Sequence, residues 1–100
     1  MVRKVTFLET ECVIKTARYT NGRLAIELID TEDGMPFTTA TINIPEEPLG
    51  DDEVIIKTYS ENEGLEEVLV QADIITEKVR YVSSGFISAP VYKVNPDLLS

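Results

Sequence analysis

The chain has 100 residues, with 18 acidic and nine basic side chains, no histidine, one cysteine and no tryptophan. This length predicts a single domain that covers residues 1–100. The absence of histidine, together with a single cysteine, excludes Ser-His-Asp and Cys-His catalysis and also a four-ligand Cys/His zinc site.

The first half of the chain predicts strands joined by tight turns. Residues 5–19 alternate apolar with polar side chains, and a slip of the alternation near residues 11–14 predicts a bulge or a break into two strands. Asn21-Gly22 predicts a type I′ hairpin turn, and residues 23–28 form the returning strand. After a polar loop, the β-branched residues within 37–44 predict a third strand.

The next part of the chain predicts a fourth strand, residues 53–59, and then a helix at about residues 61–73. Ser60 and Glu63 have the spacing of a capping box, in which each side chain bonds to the other residue's backbone amide. Gly64 is unfavourable inside a helix, and we expect close packing against the sheet to require it. One apolar stripe at helical spacing follows and consists of Leu65, Val68, Leu69 and Ala72.

Two more strands are predicted after the helix, at residues 79–82 and 86–94. Pro90 confines the last strand to an edge or a bulge, because proline cannot donate to a ladder. The tail at residues 95–100 is expected to be frayed. Since the connections between strands are too short for parallel crossovers, the predicted fold class is α+β, with a mostly antiparallel sheet of five to six strands and one helix packed on one face.

The charge of the chain is uneven. Residues 25–73 hold one lysine against 14 acids, a net charge of −13, whereas residues 1–24 hold five basic residues against two acids. The negative electrostatic field of residues 25–73 favours a basic protein partner, or it imitates DNA and so attracts a nucleic-acid-binding protein. The same negative charge argues against direct binding of nucleic acid. We therefore expect a non-catalytic acidic interaction module. The plain alternative is that the acids only keep a small domain soluble.

Two acidic segments are the candidate interaction surface. They contain Asp30, Glu32, Asp33, Glu61, Asn62 and Glu63. The alternative hypothesis is a small metal-dependent protein or enzyme that uses these acidic loop residues. The loop that begins at Asp30 does not match an EF-hand, because its glycine comes at position 5 and position 12 is Thr41. Cys12 follows an acid in a predicted strand, which raises a thiol pKa, so we expect a packed residue rather than a nucleophile.

Several further properties follow from the composition. No apolar run reaches the length of a membrane span, and no signal peptide is evident, so we expect a cytoplasmic protein without membrane contact. No sequence motif for a phosphate or a cofactor is present, and no cofactor is predicted. Pro90 and Lys93 would blunt an exposed edge at residues 86–94, so a monomer is expected.

Four motifs carry a resemblance to a known family: Tyr19-x-Asn21-Gly22-Arg23-x-Ala25-Ile26-x-Leu28, Asp33-Gly34-x-Pro36, Ala40-Thr41-x-Asn43-x-Pro45, and Glu53-Val54-x-Ile56-Lys57-x-Tyr59-Ser60-Glu61-Asn62-Glu63-Gly64. Together they resemble a family of small proteins from gut-associated bacteria that is known as a domain of unknown function and occurs in mobile elements. The resemblance covers about residues 5–94. It implies no catalytic residues and suggests an accessory role in bacterial genome conflict or in the maintenance of a mobile element.

Overall fold

The computed structural model describes residues 3–99, in which eight strands form two sheets. Sheet A consists, in order, of β1 (Lys4–Phe7), β2 (Thr10–Arg18), β3 (Leu24–Asp30) and β4 (Pro36–Thr39). Sheet B consists of β5 (Thr41–Ile42), β6 (Glu53–Ile56), β7 (Ile75–Ser84) and β8 (Ile87–Val94), arranged as β5-β6-β8-β7. The helix α1 (Leu65–Gln71) follows β6, and single 3-10 turns span Ser60–Asn62 and Pro96–Leu98. All neighbouring strands are antiparallel.

The α+β class and the antiparallel pairing are confirmed, but the prediction of one sheet of five to six strands is wrong. The division falls inside the predicted third strand, at Ala40, which separates β4 from β5. The Ala40 amide donates to the Ile26 carbonyl of sheet A at 2.8 Å, and its carbonyl accepts from the Lys57 amide at 2.8 Å. Ala40 therefore bonds to both sheets at the point where the chain passes from one to the other.

The main core lies between the two sheets and the helix. Side chains from both sheets are buried there together with Leu65 and Leu69 of α1, and Val68 and Ala72 pack against them half-buried. The apolar stripe predicted for the helix is thus confirmed. Ile74, which follows the helix, is also fully buried. Within residues 3–99 no helix has the length and apolar character needed to cross a bilayer.

Sheet B is apolar on its second face as well, where a loop that we call the strap, residues 43–52, covers it. Ile44 and Leu49 of the strap pack on a small second core formed by Ile55, Val82, Ala89 and Val91. Two arginines hold the strap. Arg23 donates to the carbonyls of Ile44, at 2.7 Å, and of Glu47, while Arg80 donates to the Pro48 carbonyl and to Glu47 Oε2.

The helix begins later than predicted, because the chain does not form a capping box at Ser60 and Glu63. Ser60 has a φ of 55°, Glu63 is non-helical with a ψ of 126°, and Gly64 has a φ of 89°. A Cβ at Gly64 would meet nothing within 4 Å, so conformation and not close packing requires the glycine. The left-handed Gly64 separates the 3-10 turn at Ser60–Asn62 from α1, and the predicted helix of residues 61–73 is reduced to Leu65–Gln71.

The first hairpin has a turn that the sequence does not signal. The slip of the apolar–polar alternation at residues 11–14 does not divide the strand predicted at residues 5–19. The division lies earlier, where β1 ends at Phe7, which pairs with Thr10. Leu8 and Glu9 form the two-residue turn with φ values of 52° and 63°, the geometry of type I′. By contrast, the Asn21-Gly22 hairpin is confirmed, but only Gly22 has a positive φ, so its turn is not type I′.

The last strand is interior and not an edge strand as predicted, although Pro90 itself lies where the pairing with β6 has ended. β8 lies between β6 and β7, and its pairing with β6 ends at Val91. Ser84 and Ile87 flank a two-residue turn and form a hydrogen-bonded pair, so by alternation Tyr81 and Pro90 form a non-hydrogen-bonded pair. The missing N–H of Pro90 therefore points toward β6 and ends that ladder. The edge of sheet B on this side is β7.

Residues 95–99 do not fit the expectation of a frayed tail. The Asn95 amide donates to the Ile74 carbonyl at 3.0 Å, and its side chain donates to the Asp73 carbonyl at 2.8 Å. Arg3 forms an ion pair with Asp97 at 2.8 Å. Ser100 lies outside the described residues.

Candidate interaction surface

One end of sheet A gathers acids from two separate segments of the chain. In a four-stranded antiparallel sheet, the β1–β2 turn and the β3–β4 loop lie at the same end. Five carboxylates are found there, and we call this surface the acidic end: Glu9, Glu11, Asp30, Glu32 and Asp33. Residues 7–12 and 29–40, which contain them, hold no lysine or arginine.

Direct contacts join the two segments of the acidic end. The Thr31 amide donates to the Glu11 carbonyl at 3.1 Å, and the Thr31 hydroxyl donates to Glu11 Oε1 at 3.1 Å. A cavity of about 560 Å³ is lined by Glu9, Thr10, Glu11, Asp30, Thr31 and Glu32. Asp30 and Asp33 also accept hydrogen bonds from the amides of Glu32 and Met35, both at 2.9 Å, which fixes the shape of the loop.

No carboxylate of the acidic end makes an ion pair with any residue between Arg3 and Leu99. The acids that are paired lie elsewhere and comprise Glu47, Glu53, Glu61, Glu66 and Asp97. Unpaired like charges raise the energy of the folded chain through mutual repulsion. The acidic end is therefore a concentrated negative surface that the rest of the described chain does not neutralise.

Exposed apolar side chains accompany these acids. Leu8 is 63% exposed, Met35 is 60% exposed and Phe37 is 37% exposed. The Phe37 ring packs edge-on against Phe7, with ring centroids 6.4 Å apart, which ties β4 to β1 across the end of the sheet. Apolar side chains ringed by charges are typical of protein-binding surfaces.

The predicted residues Asp30, Glu32 and Asp33 belong to this surface, whereas Glu61, Asn62 and Glu63 form a different structure. Asn62 is fully buried, accepts from the Thr38 hydroxyl at 2.6 Å and donates to the Thr39 carbonyl at 2.9 Å. It therefore fastens the 3-10 turn to the edge of β4 instead of presenting a polar group to solvent.

Glu61 is an ion-pair partner rather than a free acid. It lies 2.6 Å from Lys57, and this hydrogen bond lowers the pKa of Glu61 and raises the pKa of Lys57. Glu63 is exposed and makes no ion pair with the described residues. No hydrogen bond or ion pair joins this turn to the predicted loop at Asp30, Glu32 and Asp33 within residues 3–99.

The residues that the structure describes contain no group of three or more acids or cysteines placed to hold a metal ion. Cys12 is buried, and the pKa of its thiol is raised by burial, by Asp30 and by Glu11. A raised pKa removes the thiolate that a nucleophile needs at neutral pH. The expected packed position of Cys12 is confirmed.

A second polar cluster, which sequence reasoning missed, joins α1 to sheet B. Lys78 forms an ion pair with Glu66 at 3.1 Å, donates to the Tyr81 hydroxyl at 3.0 Å and lies over the ring of Tyr92 at 5.8 Å from its centroid. The Tyr92 hydroxyl donates to Glu66. These four residues are the Lys78 network, and some of them line a cavity of about 420 Å³ beside α1.

The Lys78 network keeps Lys78 charged and Tyr92 neutral near neutral pH. Burial, followed by the bond to Glu66, raises the pKa of Tyr92 to about 12. The hydrogen bonds to Tyr81 and Glu66 raise the pKa of Lys78. General acid–base catalysis needs a group that titrates near the working pH, so these shifts favour a structural role for the network.

No protein-family model, no curated protein and no solved structure matches the chain. The resemblance to the family of small proteins from gut bacteria therefore stays a hypothesis.

Proposed function

We propose that the protein is a non-catalytic interaction module whose acidic end binds a basic surface on a partner protein. Five carboxylates without ion pairs among residues 3–99 supply long-range attraction, which accelerates the encounter with a basic partner. Leu8 and Met35 supply exposed apolar contacts, which add short-range affinity.

The observation that carries the proposal is the coincidence of three unfavourable features at one end of sheet A. The carboxylates repel one another, Leu8 and Met35 leave apolar surface in water, and Leu8 and Glu9 adopt positive φ values without being glycine. Each feature costs stability, and each is absent from an optimised turn. Several features that each destabilise the folded chain and occur close together are typical of a binding site.

The class of partner follows from the charge. A basic surface that normally contacts nucleic acid is complementary to clustered carboxylates, so the acidic end would imitate a run of phosphates. The resemblance described above is in keeping with this proposal, because an accessory protein of a mobile element would act on nucleic-acid-binding proteins of its bacterial host.

A defined basic peptide can stand in for the partner protein and test the proposal. The probe is an amphipathic peptide of lysine and leucine, titrated into isotope-labelled protein at low and at moderate ionic strength. We expect amide shifts at residues 8–11 and 30–37 that weaken with added salt, because screening reduces the attraction between exposed charges. A peptide with glutamate in place of lysine should cause no such shifts.

Two variants of equal charge provide the control. The first neutralises four exposed acids of the acidic end, as Glu9→Gln, Glu11→Gln, Glu32→Gln and Asp33→Asn. The second neutralises four exposed acids elsewhere that form no ion pair within residues 3–99, as Glu46→Gln, Asp51→Asn, Glu67→Gln and Glu77→Gln. At about 0.5 kcal/mol for each charge, the first should lose about 2 kcal/mol, or about thirtyfold in affinity. An equal loss in both variants would mean that the acids act only through net charge and solubility.

A further inference from the structure

We propose that β7 is a docking edge for a second copy of the chain, which it binds by antiparallel pairing of β7 with the partner's β7. This inference is independent of the acidic end. It rests on the open backbone of β7, on the exposed apolar side chains beside that edge, and on the absence of acids from residues 78–96.

The backbone of β7 has unused hydrogen-bonding groups on its outer side. Tyr81 and Ser83 form non-hydrogen-bonded pairs with Pro90 and Ser88 of β8, so their N–H and C=O groups point away from the sheet. Between Arg3 and Leu99 no hydrogen bond reaches these groups. An edge of this kind is a template for another strand.

The other edge strands of the two sheets are partly covered or short. Asn62 donates to the Thr39 carbonyl at the edge of β4, and α1 packs beside β1. β5 contains only Thr41–Ile42. β7, in contrast, has ten residues, and although its pairing is irregular up to Arg80, the stretch from Arg80 to Ser84 is regular.

The side chains along β7 suit a second copy. Tyr81 is 59% exposed, Val79 is 38% exposed, and Phe86 projects from the tip of the hairpin fully exposed. Residues 78–96 contain no acid, and residues 81–92 contain no charge of either sign. The acids that reach β7 from other elements are Glu47, Glu53 and Glu66, and each forms an ion pair with Arg80 or Lys78 of β7. Their charges are therefore balanced at this edge, so the net charge of −9 on each chain does not oppose the contact locally.

The geometry points to one register, in which Val82 lies opposite the second copy's Val82. Tyr81 then faces Ser83 of the other chain, and the reverse pair is equivalent by two-fold symmetry. The outward groups of Tyr81 and Ser83 meet in this register and form about four backbone hydrogen bonds. No two like charges are directly opposed, and the result is one continuous sheet of eight strands.

A contact between two strands covers less area than the ~800 Å² per partner of a standard interface. We therefore expect a weak dimer that forms only at high protein concentration. Sedimentation equilibrium over a wide concentration range should show the mass rising from 11.2 kDa toward twice that value. In parallel, amide exchange at Tyr81 and Ser83 should slow as the concentration rises.

Two proline variants on paired residues provide a matched test. Ser83→Pro removes an outward N–H from β7 and should abolish the dimer, because proline is tolerated where the N–H faces solvent but cannot donate to a new strand. Ser88→Pro makes the same change on the facing strand, away from the docking edge, and should leave the dimer intact. Thermal unfolding of both variants checks that the fold is kept.

Three results would overturn the proposal. A mass that stays at the monomer value throughout the concentration range excludes pairing at this edge. A dimer that survives Ser83→Pro, or that shows no added amide protection at Tyr81, forms through another surface. Equal loss of the dimer in Ser83→Pro and Ser88→Pro shows that the substitutions act on the hairpin as a whole and not on the edge.

Discussion

The turn at Leu8 and Glu9 makes a prediction in which stability and binding change in opposite directions. Both residues have left-handed φ values, 52° and 63°, in a turn that asparagine and glycine form with less strain. The double substitution Leu8→Asn and Glu9→Gly keeps the backbone geometry and removes the cost of holding two ordinary residues there. It also removes one exposed apolar side chain and one carboxylate from the acidic end.

The size of the effect follows from the conformation of each residue. A left-handed conformation costs an ordinary residue about 1 kcal/mol more than it costs glycine, and asparagine recovers part of that difference. The double variant should therefore gain about 1–2 kcal/mol in free energy of unfolding. For a domain of this size the gain raises Tm by about 5–10 °C.

Urea and thermal unfolding measure the gain, and the midpoint should rise while the m-value is unchanged. In the peptide titration the same variant should bind more weakly than the parent protein. The matched control is Leu8→Ala with Glu9→Ala, which deletes the same side chains but keeps two non-glycine residues at positive φ, so its stability should not rise. A double variant no more stable than this control would refute the assignment of strain to the turn.

Three further predictions concern contacts outside the acidic end. Asn62→Ala should lower the free energy of unfolding by about 2 kcal/mol in urea, because two buried hydrogen bonds are lost, whereas exposed Glu63→Ala should have little effect. Folding raises the pKa of Tyr92 from 10.0 to about 12, so its contribution to stability is complete below pH 10 and is lost as the pH rises toward 12. Tyr92→Phe should flatten that alkaline decline, and a slope identical to the parent's would contradict the pKa. Arg23→Met should loosen the strap, with faster proteolysis within residues 43–52 than in Arg18→Met; equal cleavage rates would contradict the role of Arg23.

Local patterns predicted the parts of the fold that local chemistry determines. The apolar stripe that begins at Leu65 identified the buried face of α1, and Asn21-Gly22 marked a hairpin, because each signal is contained within a short stretch of sequence. The boundaries were less predictable. Gly64 lies between the predicted cap at Ser60 and the apolar stripe that begins at Leu65, so the sequence placed it inside the helix. Its φ of 89° shows that the helix begins after it.

Features that depend on distant parts of the chain were not predictable from the sequence. The division at Ala40 results from bonds to Ile26 and Lys57, each more than ten residues away, and no local pattern signals it. The contribution of Glu9 and Glu11 to the acidic end was missed for a related reason. Glu9 and Glu11 lie in a segment whose net charge is positive, and only the antiparallel order of sheet A places them beside Asp30.

The single cysteine has a practical consequence that follows from its place in the core. Cys12 is fully buried and is the only thiol in the chain, so a thiol reagent can reach it only after the core has opened. Its labelling rate in a series of reagent concentrations therefore reports the frequency of those openings under native conditions, without denaturant. The molecule thus contains a natural reporter of its own excursions from the folded state, without any added label.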